Sequence, residues 1–249
     1  PYPPLLLLPP LPLPPPFRAR ETRRADAAAG GGLRDALRVP EARRRRFLTV
    51  VVPLAPWVFA SAAVALAYLP GQVEDRLGGY ALVYSAAVAA LASAAGIAVQ
   101  PLARRARTPQ RLRTAAMGLV IAGMLVAAGA AAATSPWLAV AAALVLGAGY
   151  GSCQVCGLQE VQRLARPDRL AALTSVYQAV SYLGFAVPFP LAAAGRLAPP
   201  AVLLLITAGL AVLTLVIPIL AGTAGGPATA SRRPPTAQPE PAAARNVRR

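Results

Sequence analysis

Between residues 47 and 221 the chain alternates long apolar runs with short polar breaks. The runs fall at about 47–69, 80–102, 114–133, 137–156, 171–193 and 201–221, and none carries Asp, Glu, Lys or Arg in its core. Each is near the ~20 residues that a helix needs to cross ~30 Å of hydrocarbon. The breaks are punctuated by helix-ending residues: Pro70-Gly71 followed by Glu74, Asp75 and Arg76; Thr134-Ser135-Pro136; and Gly195 to Pro200. Links this short make neighbouring helices antiparallel. The pattern predicts an all-α fold, a polytopic membrane protein built as a six-helix bundle over residues 47–221.

The flanks read differently. Residues 1–16, PYPPLLLLPPLPLPPP, are apolar but more than half proline. Proline removes a backbone donor, and unsatisfied backbone groups are expensive in lipid, so this stretch is a poor independent helix. It is the expected remnant of an earlier span, and a start on Pro in place of Met fits a fragment. Residues 17–46 form a charged, basic linker with a flexible Ala/Gly run and the start of a short surface helix at Leu33–Leu37. Residues 222–249 are rich in Pro, Ala and Arg and read as a disordered tail.

Charge then fixes an orientation. The segments before the first run, between the second and third, between the fourth and fifth, and after the sixth hold 23 of the 25 arginines; Arg76 and Arg196 alone occupy the alternate links. Under the positive-inside rule the arginine-rich set is cytoplasmic, so both termini are expected there, in the cell membrane. A net charge of +16 otherwise invites a nucleic-acid reading. These arginines punctuate apolar spans and form no single solvated face, which argues against a nucleic-acid partner. The chain has no His and no Lys. Without a His/Cys/Asp/Glu cluster no metal site is expected, and no cofactor is implied. Cys153 and Cys156 sit at i, i+3 on an apolar helix; they read as small apolar residues at a helix interface, with a redox pair as the alternative.

Three stretches add a family likeness. Gln100–Thr114, QPLARRARTPQRLRT, occupies the place of a basic loop between the second and third helices of a six-helix half. Gly147-Ala148-Gly149-Tyr150-Gly151 lies late in the fourth run, followed by Gly157-Leu158-Gln159-Glu160-Val161, and Leu173 to Ala186 lies within the fifth. With the topology, these stretches resemble the C-terminal half, helices seven to twelve, of a major facilitator superfamily transporter of bacterial efflux type. The resemblance implies an alternating-access transporter, and a basic loop that usually reads G-x-L-A-D-R-x-G-R-R. Gln100 and Arg104 stand where Gly and Asp are usual, a departure that bears on the family's charge relay through this loop. It also implies cytoplasmic gate residues, for which Arg104, Arg105, Glu160 and Arg163 are the candidates. Glu160 would pair with Arg163 or with an arginine of Gln100–Thr114. A solvated loop is the alternative.

Within the spans the chemistry is neutral. Intramembrane charges mark proton relays and ion sites, and this half has none to offer. Tyr84, Tyr150, Gln154, Tyr177, Gln178, Ser181 and Tyr182 are the polar groups expected to line a substrate cavity. Gln178, Ser181 and Tyr182 share one helix face, and Tyr150 and Gln154 another. Interhelical hydrogen bonding is the competing use of the same groups. Gly147 and Gly151, four apart, predict close helix packing in place of a nucleotide loop.

The reading is a solute transporter, one half-bundle supplied by this chain, with lipid bilayer, a small-molecule substrate, and an N-terminal half-bundle or a second copy as partners. A non-transporting scaffold or an inactive transporter fragment is the alternative. An enzyme would need a positioned nucleophile and base, or a metal, and no catalytic residue is identified.

Overall fold

The computed structural model describes residues 40–43, 45–106 and 108–224. Six helices dominate: α1 (Phe47–Gln72), α2 (Gly78–Arg104), α3 (Pro109–Ala133), α4 (Pro136–Leu164), α5 (Pro167–Ala194) and α6 (Pro200–Ala224). All are long and apolar enough to cross a membrane, and no strand occurs among the described residues. The proline-rich stretch 1–16, residues 17–39 of the linker with the surface helix near Leu33–Leu37, and residues 225–249 of the tail lie outside the described residues. Of the linker, Pro40–Arg43 forms a 3₁₀ turn.

The helix ends follow their local chemistry. At α3 and α4 the pattern is the same: a capping hydroxyl followed by proline, which suits a first helical position that needs no donor. Thr108 Oγ1 accepts from the Arg111 N–H at 3.3 Å, and Ser135 Oγ from the Leu138 N–H at 3.4 Å. Thr134 makes the α3–α4 turn in the left-handed region, φ 44 and ψ 44. Helix α4 runs past the apolar stretch to Leu164, because Gln159 to Arg163 contains no breaker.

Helix α4 is the hub and packs on α1, α2, α3 and α5. Its glycines let it do so. A Cβ added at Gly147 would strike the Ala92 carbonyl of α2, and one at Gly151 the Gly96 carbonyl. Backbone therefore lies on backbone along this pair, the arrangement small residues permit in lipid. Gly149 faces the other way, where an added Cβ would sit 3.1 Å from Val120 of α3. Helix α6 lies on α3 and is tied to α1 where Trp57 Nε1 donates to Thr214 Oγ1 at 3.1 Å.

Helix α1 is irregular for a stated cause. Pro53 and Pro56 each lack a backbone donor. Wider π turns stand at Phe47–Val51 and Val64–Tyr68, on either side of the proline-bearing segment. In the first, the Val52 N–H reaches back to Phe47 O; in the second, the Leu69 N–H reaches Val64 O at 2.9 Å. Burial is uneven: 56% of the apolar window of α1 and of α4 is buried, against 17% for α2 and 22% for α5.

Candidate functional site

The site is built from a glycine outward. Helix α5 leaves regular geometry at Leu183–Ala186, a 3₁₀ turn. There Gly184 is buried against the α1 backbone, where an added Cβ would strike the Pro56 carbonyl and lie 2.5 Å from Ala60 N. This approach, which only glycine permits, lays Tyr182 and Phe185 on Phe59. The Phe59 ring is stacked with Tyr182 at 4.9 Å and 10°, and with Phe185 at 4.6 Å and 22°. Tyr150 of α4 closes the set at 5.9 Å from Phe59.

Phe59, Phe185 and Tyr150 border a groove of ≈160 Å³ between α1, α2, α4 and α5, with Leu66, Ala92 and Ser93 also in its wall. Phe59, Ala92 and Tyr150 each lie near the middle of their helices. The wall presents aromatic faces and hydroxyls and no charge. It can hold a small organic molecule by contact and stacking.

The residues expected from sequence separate into groups. Tyr150 lines the groove, and Tyr182 joins it through Phe59, on which its ring is stacked. Tyr177 is buried one turn along; its hydroxyl donates to Gln154 Oε1 at 3.4 Å, and Gly157 leaves room for its ring. Ser181 is buried and donates to the Tyr177 carbonyl at 2.9 Å. Gln178 Oε1 is buried with no hydrogen-bond partner among the described residues. Tyr84 lies apart, donating to the Pro136 carbonyl at 2.7 Å and so tying α2 to the start of α4. Phe59 and Phe185 escaped the sequence reading because an aromatic hydrocarbon in an apolar run carries no polar mark. The signal that could have found them is glycine and proline at mid-span, Gly184 beside Phe185 and Pro56 one turn before Phe59.

A second feature joins two helix ends. Glu160 of α4 is 3% exposed. Arg46 Nε donates to its Oε2 at 3.2 Å and Arg46 Nη2 to its Oε1 at 3.4 Å, while Arg163 Nη1 donates to Oε1 at 3.3 Å. The start of α1 is thereby pinned to the end of α4. The expected partner Arg163 is present; the second is Arg46, and no described arginine of Gln100–Thr114 pairs with Glu160. Arg104 and Arg105 are exposed and make no ion pair among the described residues. Cys153 and Cys156 are free and buried. No group of three or more His, Cys, Asp or Glu that could hold a metal occurs among the described residues.

Compared with protein families, residues 3–188 match the Major Facilitator Superfamily. Among curated proteins and among solved structures, none matches the chain.

Proposed function

The chain belongs to the Major Facilitator Superfamily, a family of membrane transporters, and on that premise we propose that it carries a small solute outward across the cell membrane by alternating access. It is a multi-pass membrane protein. The observation that carries the finer reading is the mid-span position of the aromatic groove. Secondary transporters bind their substrates near the bilayer midplane, between bundles that rock against each other. Phe59, Tyr150 and Tyr182 are this chain's share of such a site, with Tyr177, Gln154, Gln178 and Ser181 beside it and Tyr84 supporting α4.

A second bundle, an N-terminal half or another copy of this chain, completes the cavity. The low burial of α2 and α5 supports this, since both leave broad apolar faces uncovered. The ion pairs of Glu160 with Arg46 and Arg163, with Arg104 and Arg105 nearby in the topology, serve as the cytoplasmic gate. The split of arginines, 23 against two, supports cytoplasmic termini.

The test is solute uptake into inside-out vesicles, comparing the native chain with Phe59→Ala and Tyr150→Ala. Transport should fall in both variants while membrane abundance stays level. A fall in abundance that accounts for all the lost transport would instead make these rings structural.

A further inference from the structure

We infer that the groove takes a flat, uncharged aromatic molecule with one hydrogen-bonding edge, an inference that rests on reading the groove as the solute site. Three observations carry it. The first is ring orientation. Tyr182, Phe59 and Phe185 are mutually near parallel, with interplanar angles of 10°, 22° and 16°. They form a stepped bank of ring faces, of which Phe59 and Phe185 line the groove, and Tyr182 and Phe185 remain 57% and 44% exposed. Offset stacking is a preferred aromatic geometry, so a flat ring system extends the bank where a globular or saturated one cannot.

The second is charge. No Asp, Glu, Lys or Arg lines the groove. A cation entering at mid-span sheds its hydration, and ring quadrupoles alone do not replace that hydration without a counter-charge. A neutral ligand has no such deficit.

The third is the polar edge. On α2, Ser85 Oγ donates to the Ala81 carbonyl at 2.9 Å, the usual self-satisfaction of a helical serine. Ser93 lies on the same helix, lines the groove, and makes no hydrogen bond among the described residues. The Tyr150 hydroxyl is likewise without a protein partner among them. These two hydroxyls, on the adjoining helices α2 and α4, suit a carbonyl or ring N–H at the rim of the ligand.

The test uses the full chain in nanodiscs of zwitterionic lipid, with empty nanodiscs subtracted. The probes are acridone, which is flat and neutral, N-methylacridinium, which is the same shape with a charge, and a fully saturated tricycle as competitor. Acridone should bind by fluorescence anisotropy. Phe59→Leu and Phe185→Leu should each weaken it roughly two- to tenfold, the range expected for one lost aromatic pair. Ser93→Ala should weaken it less, and Tyr80→Leu, far from the groove, not at all. Phe185 is half exposed, so its variant keeps the test valid if Phe59→Leu fails to fold.

Equal or tighter binding of N-methylacridinium overturns the neutral class, and displacement by the saturated tricycle at acridone's own concentration overturns the stacking argument. Flux in proteoliposomes separates the two readings. With a second bundle present in the proteoliposomes, acridone binding without flux of any probe removes the transport reading and leaves the ligand class standing. Flux of the cation without acridone binding does the reverse.

Discussion

Replacing Gly184 with Ala should drive α5 away from α1 and open the ring bank. The added Cβ meets the Pro56 carbonyl, Ala60 N at 2.5 Å and Phe59 C at 3.0 Å. All three are backbone atoms, so no side chain can swing aside. Carbon and its non-bonded neighbours rest about 3.5–4.0 Å apart, so the two backbones must part by about 1 Å. Overpacking of this kind costs about 1–3 kcal/mol. The Phe59 stacks, now at 4.9 and 4.6 Å, lengthen together and lose part of the ~0.5–1.5 kcal/mol that each aromatic pair contributes. Alanine's better backbone preference returns about 0.5–1 kcal/mol. The net loss is about 1–4 kcal/mol. Thermal unfolding in detergent, followed by near-ultraviolet circular dichroism, reads both stability and the ring environment. Gly118→Ala is the control: it is helical, and nothing lies within 4 Å of its added Cβ. Should Gly184→Ala melt with or above Gly118→Ala and keep the native aromatic signal, the close-approach argument is wrong.

Further outcomes follow from the same geometry. Gly151→Ala, whose Cβ would strike the Gly96 carbonyl, should lower the melting temperature by the equivalent of about 1–3 kcal/mol and loosen α2 from α4, read as faster hydrogen exchange in α2. Arg46→Ala leaves the buried Glu160 with Arg163 alone; because Arg46 is itself 58% exposed, water offsets part of the loss and the cost is about 1–2 kcal/mol. Exchange should rise in the Phe47–Val51 turn of that variant and stay unchanged there in Arg163→Ala, which touches Glu160 from the same helix. Thr134→Gly relieves a β-branched residue in left-handed backbone and should raise the melting temperature by the equivalent of about 0.5–1 kcal/mol, measured by the same scan.

The six helices were legible because bilayer-length apolar runs have no stable alternative once charge is excluded from them; Thr134-Ser135-Pro136 and Gly195 to Pro200 stand at junctions between helices, while Pro70-Gly71 falls in the closing 3₁₀ turn of α1. Helix α4 still ran further than its apolar content, since length in water is set by breakers and capping and not by hydrophobicity. At the site, periodicity grouped Tyr150 with Gln154 on one face and Gln178, Ser181 and Tyr182 on another, but periodicity ranks faces within one helix and says nothing of which helices touch. That gap explains Arg46. Glu160 was expected to reach Arg163 or the α2–α3 loop, and the adjacency of α1 to α4 offered it Arg46 instead. It explains Phe59 as well, whose importance comes from what Gly184 brings to it. Tyr84 shows the converse: a tyrosine within an apolar run that helical spacing alone does not distinguish from Tyr150, yet whose hydroxyl reaches a helix terminus.

The glycine contacts at positions 147, 151 and 184 divide the molecule into two mutational regimes. Where main chain rests on main chain, no enlargement has anywhere to go, so a saturation library should find these three sites nearly intolerant. The rings that hang from this frame, Phe59, Tyr182 and Phe185, touch one another through side chains alone and can be exchanged without moving a helix. New ligand preferences should therefore arise by single changes at the rings, on a frame that does not have to be rebuilt each time.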